Sequence, residues 1–198
     1  MHVMLLHGFG APADDLVPLA EVLDVRAQFS FPAAPLDLGP QYFGGRAWWM
    51  LDPDVLDHPE RDRSNEVPEG LPAARKQVLA AIEKIDGPLV IGGFSQGAML
   101  ACDVALHTDR PLAGLVLMSA TLINATEWRT RAPSRKGLPV FQAHGTRDPL
   151  LTFEAAEKLR DLLREAGLGV AFHPFRGGHE IPAEVLAELG AFLNQRIS

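Results

Sequence analysis

The sequence predicts an α/β fold, a mainly parallel sheet of about six strands with helices on both faces. Two observations predict it: short apolar runs recur along the 198 residues, and segments with helical spacing separate several of them. Short buried strands that alternate with helices form parallel sheets with right-handed crossovers. The six runs are Val3–Leu6, Val25–Phe31, Pro88–Gly92, Leu115–Met118, Pro139–Ala143 and Val170–Phe175.

The spacing of apolar residues also predicts five helices. Asp14 or Asp15 is expected to cap the first of them, because a carboxylate accepts from the free N–H groups of a helix start. Gly167 is the expected end of the fourth. The predicted segments are Leu16–Leu23, Pro72–Ile85, Ala98–His107, Phe153–Ala166 and Pro182–Ile197.

The stretch from Leu36 to Leu71 shows no sustained period and is rich in Pro, Gly and Asp. A structureless loop of this length is uncommon in a compact domain and is usually functional. We expect it to form the wall of a ligand-binding site, with Trp48 and Trp49 offering apolar area to the ligand, although Trp49 could instead pack under the loop. Arg46 could contact an anionic group of the ligand, but the preferred role is to hold the loop in place.

Chain length and a hydrophobic content of 47% predict a single domain over residues 1–198. The 18 basic and 25 acidic side chains give a net charge of −7, which argues against nucleic acid as a partner. The one basic cluster is interpreted as a solvated loop. It consists of Arg129, Arg131, Arg135 and Lys136.

The compartment is predicted from what the sequence lacks. The single cysteine, Cys102, cannot form an internal disulfide and is expected in the core. The N-terminus has no signal-peptide pattern, and no run approaches the ~20 apolar residues of a membrane span. We therefore expect a cytoplasmic protein without stable membrane insertion, and exposed apolar residues on the last helix or the long loop could support a homodimer.

A pentapeptide with two glycines, Gly93-Phe94-Ser95-Gln96-Gly97, joins the third apolar run to the third predicted helix. A serine held on a sharp strand-to-helix turn has a strained backbone, and the residues two positions before and after it must be small. Gly93 and Gly97 meet that requirement. Ser95 is therefore the candidate nucleophile.

Polar side chains follow other predicted strands where each strand ends. Asp148 follows the fifth strand, and His179 follows the sixth in a glycine-containing loop. Ligands collect at the carboxyl ends of parallel strands, so these side chains are expected to lie near Ser95. The chain order Ser, Asp, His is that of the α/β-hydrolase arrangement. His7 and His144 also end strands and are interpreted as hydrogen-bonding neighbours of the site.

These residue types supply the parts of acyl transfer. An imidazole takes the proton of the attacking hydroxyl, and a carboxylate on its other ring nitrogen fixes its tautomer. Two N–H groups must then stabilise the oxyanion, and the candidates are the backbone of Phe9 and of Gln96. Asp148 could also be an ordinary turn residue before Pro149. A metal site is not predicted, because no two histidines are four residues apart and there is no cysteine cluster.

Six segments in the same order resemble the phospholipase/carboxylesterase family of α/β-hydrolases, which includes bacterial carboxylesterases and acyl-protein thioesterases. They are residues 6–10 with Asp15, 31–35, 45–49, 93–97, 144–149 and 178–181. The resemblance covers nearly the whole chain. It implies a minimal hydrolase fold without a large lid domain, the triad Ser95, Asp148 and His179, oxyanion donors at Phe9 and Gln96, and no cofactor.

Two departures from the family pattern bear on the substrate. Ala11 stands where the thioesterases have Asp, and Met50 stands where an acid commonly follows the aromatic pair. We therefore expect a serine carboxylesterase for short- to medium-chain acyl esters. A thioesterase or lysophospholipase of the same family is the alternative. A hydrolase-fold binding protein that lacks turnover is the alternative from another class, and it is disfavoured because every triad residue is present.

Overall fold

The computed structural model describes residues 1–52, 54, 58 and 60–196. Its strands are β1 (His2–Leu6), β2 (Gln28–Ser30), β3 (Leu36–Asp37), β4 (Arg46–Ala47), β5 (Leu89–Phe94), β6 (Gly114–Met118), β7 (Pro139–Gly145) and β8 (Gly169–Phe175). Six of them form one sheet in the order β2-β1-β5-β6-β7-β8, and every pairing in it is parallel. The prediction of about six parallel strands is confirmed.

The helices are α1 (Leu19–Val22), α2 (Leu71–Ile82), α3 (Gln96–His107), α4 (Ala125–Arg131), α5 (Phe153–Glu165) and α6 (Ala183–Asn194). Thr152 caps the start of helix α5, because its hydroxyl accepts the backbone N–H of Ala155. After the helix the chain reverses at Gly167, which has a φ of +86°. The predicted end of that helix at Gly167 is confirmed. Among the helices of the described residues, none is long and apolar enough to cross a membrane.

Strand order creates a crevice between β1 and β5. The chain runs from β1 outward to β2, then returns to β5 and continues in the opposite direction through β6, β7 and β8. The carboxyl ends of the two strands at such a switch point diverge and leave room for a ligand. Leu6, the last residue of β1, pairs with Gly93 near the end of β5. The loop after β1 and the turn after β5 therefore face each other.

Both faces of the sheet are buried, as the period-two alternation of β1 illustrates. Met4 and Leu6 belong to a hydrophobic cluster that includes residues of α2, α3, α4 and α5. Val3 and Leu5 belong to a second cluster that includes residues of α6 and the segment around α1. Cys102 is fully buried in the first cluster, as predicted, and burial raises the pKa of its thiol.

The largest differences from the predicted bounds, three residues at one end, occur in four elements. The first helix is only Leu19–Val22, and neither Asp14 nor Asp15 caps it, because Pro18 occupies the N-cap position. Strand β2 is shorter than the predicted 25–31 run. Helix α2 ends three residues before Ile85, and α6 ends at Asn194, while Ile197 lies outside the described residues.

The prediction that the basic cluster lies in a loop is wrong. Arg129 and Arg131 lie on α4, and Arg135 ends the short 3₁₀ helix Ala132–Arg135. Helix α4 is only seven residues long, which is too short for a periodic pattern to stand out. Arg129, Arg131 and Lys136 are exposed, and Arg131 donates to Glu127, whereas Arg135 donates to the carbonyl of Arg110 and its Nε and Nη2 atoms are buried.

The predicted structureless loop contains local structure. Strands β3 and β4 form a short antiparallel hairpin, with the 3₁₀ turn Pro40–Tyr42 between them. The chain then turns inward, so that Trp48 and Trp49 are each 2% exposed. This segment packs on the turn after β5 and shapes the site described next.

Candidate active site

The turn after β5 holds Ser95 in a strained conformation. Its φ is +53° and its ψ is −121°, a region that non-glycine residues rarely occupy. The Ser95 N–H donates to the carbonyl of Met118, 2.9 Å away on the neighbouring strand. A Cβ atom at Gly93 or Gly97 would collide with the carbonyl of Leu6. The two glycines are thus required by the close packing of the turn against β1, as the sequence predicts.

The carboxylate of Asp148 is held by three donors in the turn after β7. Its Oδ1 accepts the backbone N–H groups of Leu150 and Leu151, both at 2.9 Å, and its Oδ2 lies 2.6 Å from Nδ1 of His179. Burial alone would raise the pKa of this carboxyl, but His179 and the two amides stabilise its charged form and hold the pKa below its ordinary value. The carboxylate can therefore orient an imidazole and balance its charge.

The loop after β8 brings His179 over the end of the sheet. Its side chain is 14% exposed, and its ring centroid lies 4.8 Å from that of Phe94, the residue before Ser95. The loop is tied to the turn after β7, because Arg147 N–H donates to Gly177 O at 2.9 Å. A Cβ at Gly145 would collide with the carbonyl of Gly178, so glycine is needed where the two loops meet.

Ser95 and His179 line one open cavity, together with Gly8, Phe9 and Gln96. No hydrogen bond joins Ser95 Oγ to His179 in the described part of the chain. Such contacts are often long without substrate and tighten in the Michaelis complex. The structure thus brings the three predicted triad residues to one edge of the sheet, with the base–acid contact already formed.

Phe9 and Gln96, the two predicted oxyanion residues, also line this cavity. The N–H groups of Phe9 and Gln96 have no backbone acceptor among the residues that the structure describes. Gln96 is the first residue of α3, where N–H groups have no intrahelical partner and the helix dipole favours negative charge. Both groups are therefore available to an oxyanion.

The Gln96 side chain joins the turn after β5 to the long loop. Its Oε1 accepts the N–H of Trp48, and its Nε2 donates to the carbonyl of Trp49, each at 2.9 Å. Trp48 Nε1 donates to His7 O at 3.0 Å.

Arg46 donates to the carbonyls of Ala34 and Pro35, as the preferred structural role requires. Trp48 lines neither of the two cavities at this site, contrary to the expectation of substrate contact. Arg46 lines neither of them, so its alternative role of contact with an anionic group of the ligand is not supported.

A second, mostly apolar cavity adjoins the first. Trp49 lines it, so the interpretation of Trp49 as part of a substrate wall fits the structure better than the same interpretation of Trp48. Four residues line both cavities: Leu51, Met99, Leu150 and Leu151. Nothing in the sequence pattern marks these four, because their proximity depends on how the loops fold over α3.

His144 lies behind Asp148 as a buried neighbour of the triad. Its Nε2 lies 2.9 Å from the carbonyl of Leu151 and 3.4 Å from Asp148 Oδ2. Burial lowers the pKa of His144, so that its neutral form is favoured. Within the described ranges, no group of three or more His, Cys, Asp or Glu side chains could hold a metal ion.

A sequence model of the phospholipase/carboxylesterase family matches residues 1–197. Acyl-protein thioesterase 1 of Neurospora crassa is 32% identical over 136 residues, which are 67% of this chain and 50% of that protein. The chain thus spans about half the length of this curated relative. A "Probable carboxylesterase" of Oryza sativa is 29% identical over 222 residues, covering 99% of this chain and 88% of that protein.

The fold resembles that of solved hydrolases. The crystal structure of esterase PE8 superposes with a TM-score of 0.83 at 28% identity and covers 98% of this chain and 91% of that one.

Proposed function

The chain belongs to the phospholipase/carboxylesterase family of α/β-hydrolases, and from that premise we propose that it is a serine carboxylesterase for short- to medium-chain acyl esters. Ser95 is the nucleophile, His179 the general base and Asp148 the carboxylate that orients it. The observation that carries the proposal is the 2.6 Å contact between His179 Nδ1 and Asp148 Oδ2 at a cavity that Ser95 also lines.

The first half-reaction forms an acyl-enzyme. Ser95 Oγ attacks the ester carbonyl carbon while its proton moves to His179 Nε2, and the carbonyl electron pair becomes an oxyanion that accepts from Phe9 and Gln96 N–H. Collapse of this intermediate breaks the bond to the alcohol oxygen. The alcohol leaves with the proton from His179, and Asp148 stabilises the imidazolium in between.

The second half-reaction hydrolyses the acyl-enzyme. A water molecule gives a proton to His179 as its oxygen attacks the acyl carbon, and a second oxyanion forms in the same place. When that intermediate collapses, Ser95 Oγ leaves and recovers its proton from His179. The products are a carboxylic acid and the free enzyme.

The two adjoining cavities support a substrate with an apolar acyl group. The second cavity is lined mainly by apolar side chains such as Met99, Leu122 and Ile123, and apolar burial favours acyl chains by about 0.8 kcal/mol per CH₂. Met99 is held where the cavities meet, since the Thr121 hydroxyl lies 3.6 Å from its sulfur. Met99 lines both cavities, so an acyl chain that extends from the cavity of Ser95 into the second cavity contacts its side chain.

Thioester hydrolysis is the second candidate, because the chain is similar to acyl-protein thioesterase 1 of Neurospora crassa. Oxygen esters and thioesters pass through the same type of oxyanion, so the triad serves both. Ala11 and Met50 depart from the thioesterase pattern and favour the ester. Rates on a panel of matched esters, thioesters and lysophospholipids would rank these leaving groups.

The direct test is hydrolysis of p-nitrophenyl butyrate by the wild-type protein and by Ser95→Ala. We expect the variant to lose activity by a factor on the order of 10⁴ or more. Ser134→Ala is the matched control, since Ser134 is exposed on the 3₁₀ helix far from the cavity, and it should keep full activity. Full activity of Ser95→Ala would overturn the proposal.

A further inference from the structure

His7, at the end of β1, has both ring nitrogens bound to backbone groups. The residue is 2% exposed. Nδ1 lies 2.8 Å from the carbonyl oxygen of Gly8, and Nε2 lies 3.1 Å from the backbone nitrogen of Ala34. The ring therefore connects the neighbouring residue Gly8 to the distant loop that contains Ala34.

These two contacts determine the tautomer. Ala34 N–H can only donate, so Nε2 must be the unprotonated nitrogen. Gly8 O can only accept, so Nδ1 must carry the proton. Burial lowers the pKa of His7, which favours the same neutral form. The ring therefore donates to Gly8 and accepts from Ala34 at the same time.

The donated hydrogen bond determines how the next peptide group is turned. All peptide bonds of the described residues are trans, so the N–H of Phe9 points opposite to the C=O of Gly8. Gly8 O is held on its own side by His7 Nδ1 and, at 3.4 Å, by Ala11 N–H. Phe9 N–H is thereby directed away from His7, and Gly8 and Phe9 both line the cavity that contains Ser95.

We propose that His7 is a positioning residue for the oxyanion hole: its Nδ1–H fixes the Gly8–Phe9 peptide with the Phe9 N–H aimed at the oxyanion. The inference rests on the proposed function, since it assigns a device to the same reaction. His7 touches neither substrate nor Ser95 in this role. It acts through the orientation of one peptide group.

A purely structural role for His7 would reside on other atoms. The His7 carbonyl accepts Trp48 Nε1–H, and its ring lies 5.6 Å from that of Trp48, so the residue also anchors the long loop. The contact from Ala34 to Nε2 belongs to the same anchoring. The loop contact is thus made by Nε2 and the positioning contact by Nδ1, and substitutions can separate them.

The experiment compares His7→Asn with His7→Gln. The Asn amide nitrogen can occupy the place of Nδ1 and donate to Gly8 O, whereas the Gln amide oxygen can occupy the place of Nε2 and accept from Ala34. We would measure kcat and KM for p-nitrophenyl butyrate, the inhibition constant of an alkyl trifluoromethyl ketone, and the melting temperature. The ketone forms a tetrahedral adduct with an oxyanion, so it reports on the oxyanion hole.

We expect His7→Gln to lower kcat by about 10²-fold with KM within about twofold, as for loss of one oxyanion donor. The ketone should bind more weakly by a similar factor, and His7→Asn should restore most of both losses even if its melting temperature is lower. If kcat and ketone affinity are equal in the two variants, or follow melting temperature alone, the positioning role is wrong.

A measurement on the wild-type protein does not depend on the folding of either variant. Nitrogen-15 NMR of the imidazole should show His7 as the neutral tautomer protonated at Nδ1, and protonation at Nε2 would overturn the inference. The ketone also distinguishes this inference from the proposed function. If the wild-type protein forms no adduct at Ser95, the proposed function fails, and the inference fails with it. An adduct of equal affinity in all three proteins contradicts the role of His7 alone.

Discussion

Two buried carboxylates, Asp148 and Asp103, respond to burial in opposite ways. The pKa of Asp148 is held below its ordinary value, because three donors outweigh the effect of burial. The pKa of Asp103 is raised, because burial outweighs its partners. Asp148 lies in the turn after β7, and Asp103 lies on α3, the helix that begins directly after Ser95.

Asp103 belongs to a closed polar cluster between α2, α3 and α4. Its Oδ1 accepts Trp128 Nε1–H at 2.8 Å, while its Oδ2 lies 3.2 Å from Arg75 Nε without a well-aligned hydrogen bond from any residue that the structure describes. On the same helix, His107 Nε2 contacts Glu127 Oε1 at 2.9 Å. The cluster's polar groups thus contact one another, away from either cavity at the active site.

The comparison shows what separates a candidate site from a structural cluster. Burial of a carboxylate and proximity to a histidine occur in both regions. Around Asp148, the residues Ser95, Phe9 and Gln96 line one cavity together with His179. Among the described residues, Asp103 and His107 line neither cavity at the candidate site. Substitutions in the first region should therefore affect turnover, and those in the second should affect folding.

The largest expected effect is that of Asp148→Asn on turnover. The amide can still accept from the Leu150 and Leu151 N–H groups, but it cannot hold His179 in the required tautomer or balance its charge, so kcat should fall by about 10⁴-fold. The free energy of unfolding should fall by only about 1–2 kcal/mol, because the amide keeps the two backbone hydrogen bonds and loses only the charge. Steady-state kinetics with p-nitrophenyl butyrate and urea unfolding measure the two quantities, and a kcat within tenfold of wild type would contradict the role.

Asp103→Ala should show the reverse pattern. It leaves the Arg75 guanidinium and the Trp128 indole N–H without their buried partner, which typically costs about 3–5 kcal/mol of stability. The turnover of the protein that remains folded should stay within a few-fold of wild type. Asp109→Ala, at an exposed position just after the same helix, should change stability by less than about 0.5 kcal/mol. Equal destabilisation by both substitutions would show that the cluster is not what stabilises this region.

The smallest expected effect is the pH dependence that His7 and His144 contribute to stability. Burial lowers the pKa of both in the folded protein, so the unfolded chain binds their protons first. Their contribution is therefore fully present above the unfolded value of about 6.5 and is lost as pH falls below it, by about 1.4 kcal/mol for each unit of difference. Urea unfolding at pH 7.5 and 5.0 measures it. A double variant, His7→Gln with His144→Gln, should lose less stability between the two pH values, and an unchanged loss would contradict the assignment.

Much of the fold and of the site could be predicted from residues that act locally. Short apolar runs define buried strands wherever they lie, and a serine between two glycines after such a run is typical of a nucleophile turn. The order of Ser95, Asp148 and His179 along the chain then follows from where their strands end. These three residues could therefore be preferred over the other acids and histidines from their positions after predicted strands, without the tertiary contacts.

The rest depended on tertiary contacts that leave no local pattern. Trp48 was predicted to contact substrate, because a tryptophan in a loop offers apolar area. In the structure the Trp48 N–H donates to the Gln96 side chain, and Trp48 is buried against the turn after β5. The second cavity at the site is lined by Leu51, Met99 and Leu151, which come from three separate segments of the chain. Helix α4 was not predicted, because seven residues are too few to show the helical period of apolar residues.

Active-site labelling tests the central claim most directly. A fluorophosphonate phosphonylates a serine only where a base, an oxyanion hole and an open cavity meet, so mass spectrometry of the labelled wild-type protein should find one adduct, on the peptide that contains Ser95. Ser95→Ala should take up none. An adduct on any other residue, or equal labelling of Ser95→Ala, would contradict the assignment of Ser95 as the nucleophile.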